Sequence, residues 1–169
     1  MNFFTQYAKA ARWKKKIDRS LCRFVGADVR ASHRKNDGSL LFAYVESHVL
    51  SPQGQTLPGI LFLRGDAVVI VPHIICKEEG RSFFLMVNQR RIADGEVHCE
   101  FPAGMLDDEV DNPRGVACRE LEEETGMCIG ATDLFLLHHK PLFTSPGGSD
   151  EAVWFLVSPK NFPVVSAVL

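Results

Sequence analysis

The stretch CRELEEETGM, Cys118–Met127, holds four glutamates within five consecutive positions and a glycine just beyond them. At about 100° per residue on a helix, Glu120, Glu123 and Glu124 fall within an arc of about 100°, and Glu122 points to the opposite side. Ala117, Cys118 and Leu121 form a neighbouring apolar arc that can anchor the helix to a sheet. By composition alone such a run reads either as an acidic face turned to water or as a carboxylate cluster for a metal. The placement has a cost: like charges at helical spacing repel, and negative charge in a helix's C-terminal half opposes the macrodipole. A hard divalent cation, Mg2+ or Mn2+, would offset both penalties and prefers oxygen ligands.

Those carboxylates need a helix with fixed ends. Asn112 suits the N-cap and Pro113 the first helical position, where a missing N–H costs nothing. Gly126 is a natural stop, so the spacing predicts a helix over 113–125. Just upstream, EFPAGMLDD has Pro102 ending a strand at 97–101 and Gly104 allowing close approach of backbone to ligand, so this loop can aim a carbonyl at a metal on the helix. Apolar runs at 39–45, 59–63, 67–75, 82–87, 133–137 and 151–157 read as strands. SPQG at 51–54 reads as a turn and KEEGR at 77–81 as a hairpin loop. Strands on both sides of one strong helix predict an α+β fold, with residues 1–58 as an N-terminal helix and small antiparallel β region and 59–169 as the main domain. Phe3, Tyr7 and Ala11 recur at helical spacing in a segment with five basic residues and no acid before Asp18. This segment reads as a docked helix with a basic face or as an organellar targeting peptide.

The composition is that of a globular protein: 46% hydrophobic and 24% charged over 169 residues. A net charge of −2 gives no electrostatic argument for nucleic acid. No apolar run approaches the roughly 20 residues that span a bilayer. Five cysteines without a C-x-x-C pair favour a reducing, intracellular compartment, the cytoplasm or an organelle, over a disulfide framework or a zinc site. His138 and His139 are adjacent, point apart on a strand and make a poor metal pair. The RGD at 64–66, between two apolar strands, reads as incidental.

The sequence resembles the Nudix hydrolases, whose box reads G-x5-E-x7-R-E-U-x-E-E-x-G-U, with U a bulky aliphatic residue. Arg119, Glu120, Leu121, Glu123, Glu124, Gly126 and Met127 match its second half in full. Gly104 lies one residue too far upstream, and Asp111 falls where the first box glutamate is expected. The resemblance implies a Nudix α/β/α sandwich with a mixed sheet. It implies that Glu120 and Glu124 are the principal metal ligands, with Glu123 assisting and the Ala103 carbonyl completing part of the coordination. Arg119 would orient Glu123 by an ion pair, and Glu122 would be dispensable.

LPGILFLRGDAVVIVP, NQRRIADGEVHCEFPAGMLDD and SPGGSDEAVWFL are similar to the ADP-sugar diphosphatase branch, the ADP-ribose and ADP-glucose hydrolases. AARWKKKID echoes its plant plastid type. That resemblance implies a diphosphate contact for Arg91, with Arg90 as the substitute, and a place near the substrate ribose for Glu100. It implies Glu151, with Asp150 as the other candidate, as the general base in a glycine-containing loop. Arg64 would reach a substrate across a homodimer interface, and a further helix would follow the last strand. The substrate would be a nucleoside diphosphate-sugar, cleaved to AMP and a sugar phosphate. The competing readings are a Nudix diphosphatase of another nucleotide (NADH, coenzyme A or a nucleoside triphosphate) and a non-catalytic nucleotide-binding module, which the extra box residue favours.

Overall fold

The computed structural model describes residues 2–76 and 80–161. In chain order the elements are α1 (Phe3–Gln6), α2 (Ala8–Arg19), β1 (Arg23–Arg34), β2 (Leu40–Leu50), β3 (Ile60–Leu63), β4 (Ala67–Cys76), β5 (Arg81–Phe84), β6 (Val87–Arg90), β7 (Val97–Glu100), β8 (Ala103–Met105), α3 (Pro113–Thr125), a 3-10 turn (Ala131–Asp133), β9 (Phe135–Leu136), β10 (Leu142–Phe143) and β11 (Ala152–Asn161). The fold is mixed α+β, as expected. The chain forms two compact units: the chain up to Asp66 together with Leu142–Ala152, and Ala67–Pro141 together with the chain from Val153. Among the described residues, no helix is long and apolar enough to cross a membrane.

In the first unit, β1, β2 and β3 form an antiparallel sheet in that order. Buried and exposed residues nearly alternate along β2, as in a sheet covered on one face. The N-terminal segment covers it, but not as one helix. Tyr7 is extended (φ −112°, ψ 126°) and splits α1 from α2. The buried set is Phe4, Tyr7, Ala10 and Trp13, rather than Phe3, Tyr7 and Ala11. The break lets the Phe4 ring lie 5.7 Å from Trp13 and 5.3 Å from Phe24, so aromatic packing overrides helical continuity. The basic segment thus belongs to the unit's core, and removing it would strip four buried side chains.

In the second unit, β4 and β11 run parallel, from Val153 opposite Ala67 to Asn161 opposite Ile75. β5 and β8 pair antiparallel with β4, and β9 with β11. The first part of β4 is nearly continuously buried, as a central strand with a parallel partner should be. α3 packs Val116, Ala117 and Leu121 against Val68, Ile70 and Leu156, with Leu106 and Leu134 in the same cluster. The apolar arc read from the sequence is this contact, shifted by Val116. β6 and β7 form a separate two-stranded ribbon.

The run at 82–87 was expected as one strand. It is β5, a break, and then β6: Leu85 N–H still donates to Pro72 O in the β5 register, but Pro72 has no N–H to return a bond and the ladder ends there. Parts of two expectations, the KEEGR loop at 77–79 and a further helix over 162–169, lie outside the described residues.

Candidate active site

α3 has the predicted bounds, and its ends show why. Asn112 accepts the Gly115 N–H (3.1 Å), and Gly126 is left-handed (φ 73°) with its N–H donated to Glu122 O. Glu120 and Glu124 are half-buried, whereas Glu122 and Glu123 are exposed. Glu122 accepts from the Cys128 thiol, turned away from the other carboxylates.

Gly104 has a specific task. A Cβ built there would meet Glu120 Cδ at 2.0 Å, so any side chain at this position would push the Glu120 carboxylate out of its place under β8. Burial pushes the Glu120 carboxyl above its ordinary pKa, and the charges of Glu123, Glu124 and Asp107 push the same way against Arg119. This surplus of half-buried negative charge suits a hard cation, for which Glu120, Glu123 and Glu124 offer oxygen donors. Among the described residues, however, no three His, Cys, Asp or Glu side chains form a closed ligand set. Glu124 instead accepts from Gln89 Nε2 (2.8 Å) and from the Ala103 N–H (3.2 Å). Ala103 thus touches the helix through its N–H.

Arg119 corrects an expectation. Its ion pair is with Glu109 (2.9 Å), not with Glu123, and this partner holds the guanidinium above its ordinary pKa. In this loop it is Glu109, not Asp111, that pairs with the helix arginine. Counting along a motif with an insertion could not find Glu109. Asp107, whose charge also bears on Glu120, was equally hidden in the acidic loop; it adopts a left-handed φ of 48°.

The β6–β7 ribbon presents the next group. Val87, Gln89, His98 and Glu100 are half-buried, and Asn88, Arg90, Val97 and Cys99 are exposed. Cross-strand partners share a face, and Val87 pairs with Glu100 and Gln89 with His98. This inner face meets α3 through Gln89 and Glu124. Arg91 holds Glu100 by Nε, at 2.9 and 3.0 Å from the two carboxylate oxygens, and by Nη2. The pairing raises the arginine's pKa and lowers that of the carboxyl. Arg91 also feels the charge of Glu124. Arg90 donates to Gly95 O and ties the hairpin turn, so the two arginines have separate tasks. Gln89, which the sequence reading passed over, links the ribbon to the helix.

The remaining candidates belong to the first unit. Asp150 is buried and accepts from the N–H groups of Arg64 (2.7 Å) and Gly65 (3.0 Å), fixing the RGD turn. Burial pushes its carboxyl up in pKa. Glu151 lies beside Arg64 Nε (3.3 Å) and accepts from Thr144 Oγ1 (3.0 Å). The structure therefore gathers Arg91, Glu100, Gln89, Glu124, Ala103 and Gly104 in one unit, and Arg64 with Glu151 in the other. His138 and His139 are exposed.

The NUDIX domain model matches residues 66–164, more than half of the chain. Nudix hydrolase 14, chloroplastic, from Arabidopsis thaliana is 38% identical over 105 residues, covering 58% of this chain and 33% of that protein. A Caenorhabditis elegans protein of the nudix hydrolase series is 32% identical over 92 residues, 54% of this chain and 39% of its own. The matched part of the chain thus spans between a third and two fifths of the length of these relatives. The fold is similar to that of a solved ADP compounds hydrolase, with a TM-score of 0.57 and 19% identity over 86% of this chain and 73% of that one. With the carboxylate helix and its glycine in place, the chain belongs to the NUDIX domain family.

Proposed function

We propose that the protein hydrolyses the diphosphate bond of an ADP-sugar, ADP-ribose or ADP-glucose, to AMP and a sugar phosphate. The observation that carries this reading is the Arg91–Glu100 pair beside Gln89 and Glu124. A planar cation suited to a diphosphate there stands in one constellation with the carboxylate helix. Glu120, Glu124 and Glu123, with the Ala103 carbonyl, would hold Mg2+ or Mn2+, which supplies charge neutralisation and an acidified water. Arg91 adds charge to the diphosphate oxygens through the N–H groups that Glu100 leaves free.

Glu151 is the base in this reading. It is a partly buried carboxylate after a glycine loop, whereas Asp150 is committed to two backbone N–H groups. Arg119, anchored by Glu109, steadies the helix's charged face. That ion pair answers the feature that favoured a non-catalytic module, since the longer box still provides Arg119 with an acid. The similarity of the fold to an ADP compounds hydrolase accords with an adenylate substrate.

The test is AMP release from ADP-ribose, ADP-glucose and NADH, with Mg2+, with Mn2+ and with chelator. Metal-dependent release from the two ADP-sugars, several-fold faster than from NADH, is expected. Faster release from NADH would replace the substrate class, and no release from any of them would overturn the reading.

A further inference from the structure

The inner face of the β6–β7 ribbon carries a side chain that the proposed chemistry does not use. His98 lies opposite Gln89 in the register and two residues before Glu100, on the same face. Its Nε2 lies 2.9 and 3.1 Å from the two Asp94 oxygens. Asp94 also accepts the Glu96 N–H, and the two contacts hold its carboxyl below the ordinary range. An ionised carboxylate can only accept, so the proton of the neutral ring must sit on Nε2. Nδ1 is then left as an acceptor.

The rest of the face is rich in acceptors. Glu100, Asp94 and Glu124 are carboxylates, and Arg91 is the cation among them. Such a face suits hydroxyl groups better than a second anion, because a hydroxyl donates to the acceptors without adding negative charge.

We infer that His98, aligned by Asp94, is a specificity-determining residue that accepts a hydroxyl of the terminal sugar at Nδ1. This rests on the ADP-sugar reading above and deepens it. Arg91 takes the diphosphate, and His98 takes the sugar beyond it.

The test compares the wild type with His98→Ala, His98→Gln and Asp94→Asn, with circular dichroism as the check on folding. On ADP-ribose, KM should rise about fivefold for His98→Ala, the worth of one neutral hydrogen bond, with kcat within about twofold. Asp94→Asn should show a smaller rise, and His98→Gln should recover part of the loss. On the methyl ester of ADP, which lacks the terminal sugar, the KM of His98→Ala should equal that of the wild type.

Calorimetric titration with ADP-ribose and with ADP, without metal, separates this idea from the catalytic one. Binding of ADP-ribose should weaken about fivefold in His98→Ala and binding of ADP should not change. If the wild type binds ADP-ribose but cleaves nothing, the hydrolase reading fails and the sugar contact stands. Equal affinities for ADP-ribose in wild type and variant, or no binding to the wild type, overturn the inference. So does an equal loss with ADP, which marks a role confined to holding the turn.

Discussion

Four glutamates that look alike in the sequence differ in what they touch. Glu124 faces Gln89 and Ala103, Glu120 lies under Gly104, Glu123 is exposed beside them, and Glu122 meets a thiol on the far side. Glu124→Gln should lower kcat/KM by at least about 100-fold, the scale of losing one charge-stabilising group, and Glu122→Gln should stay within about twofold. Equal activities would remove Glu124 from the ligand set. The front of the box gives a second comparison. Glu109→Gln should free Arg119 and lower kcat/KM by about tenfold, the effect of a positioning partner, whereas Asp111→Asn should leave it unchanged. The reverse order would return the role to Asp111.

Among the elements, α3 and β8 act as a pair. Gly104 allows the strand to pass over Glu120, and the helix carries that carboxylate in a half-buried place that favours its protonated form. A carboxyl whose folded pKa is raised binds more protons when folded than when unfolded. Stability therefore falls as pH rises from the unfolded pKa through the folded one. Glu120→Gln should remove this loss: in chelator its Tm should exceed that of the wild type at pH 8 and match it near pH 4. Mg2+ should raise the wild-type Tm at pH 8 and leave the variant's nearly unchanged. Equal thermograms at pH 8 would count against the buried charge.

At the scale of the whole molecule, the first unit depends on an aromatic cluster formed by the segment before β1. Trp13 is 7% exposed and packs on Phe4 and Phe24. Trp13→Ala should destabilise the protein by about 3–5 kcal/mol, measured by denaturant unfolding. A loss below about 1 kcal/mol would mean the segment is loosely attached.

By itself the sequence determined the helix at 113–125, because proline, asparagine and glycine act locally on the backbone at its ends. It also determined the three-against-one division of the glutamates, which follows from helical period alone. β1 was hidden: RFVGADVRASHR is an edge strand, exposed over most of its length and interrupted by three register shifts, so it carries no alternation to read. Only the tertiary structure decided the pairings between distant residues. Arg119 takes Glu109 from the preceding loop, Asp150 binds the 64–65 turn, and Gln89 reaches Glu124 from a ribbon 35 positions away. Such contacts depend on where chain segments converge in space, and local residue preferences hold no record of that.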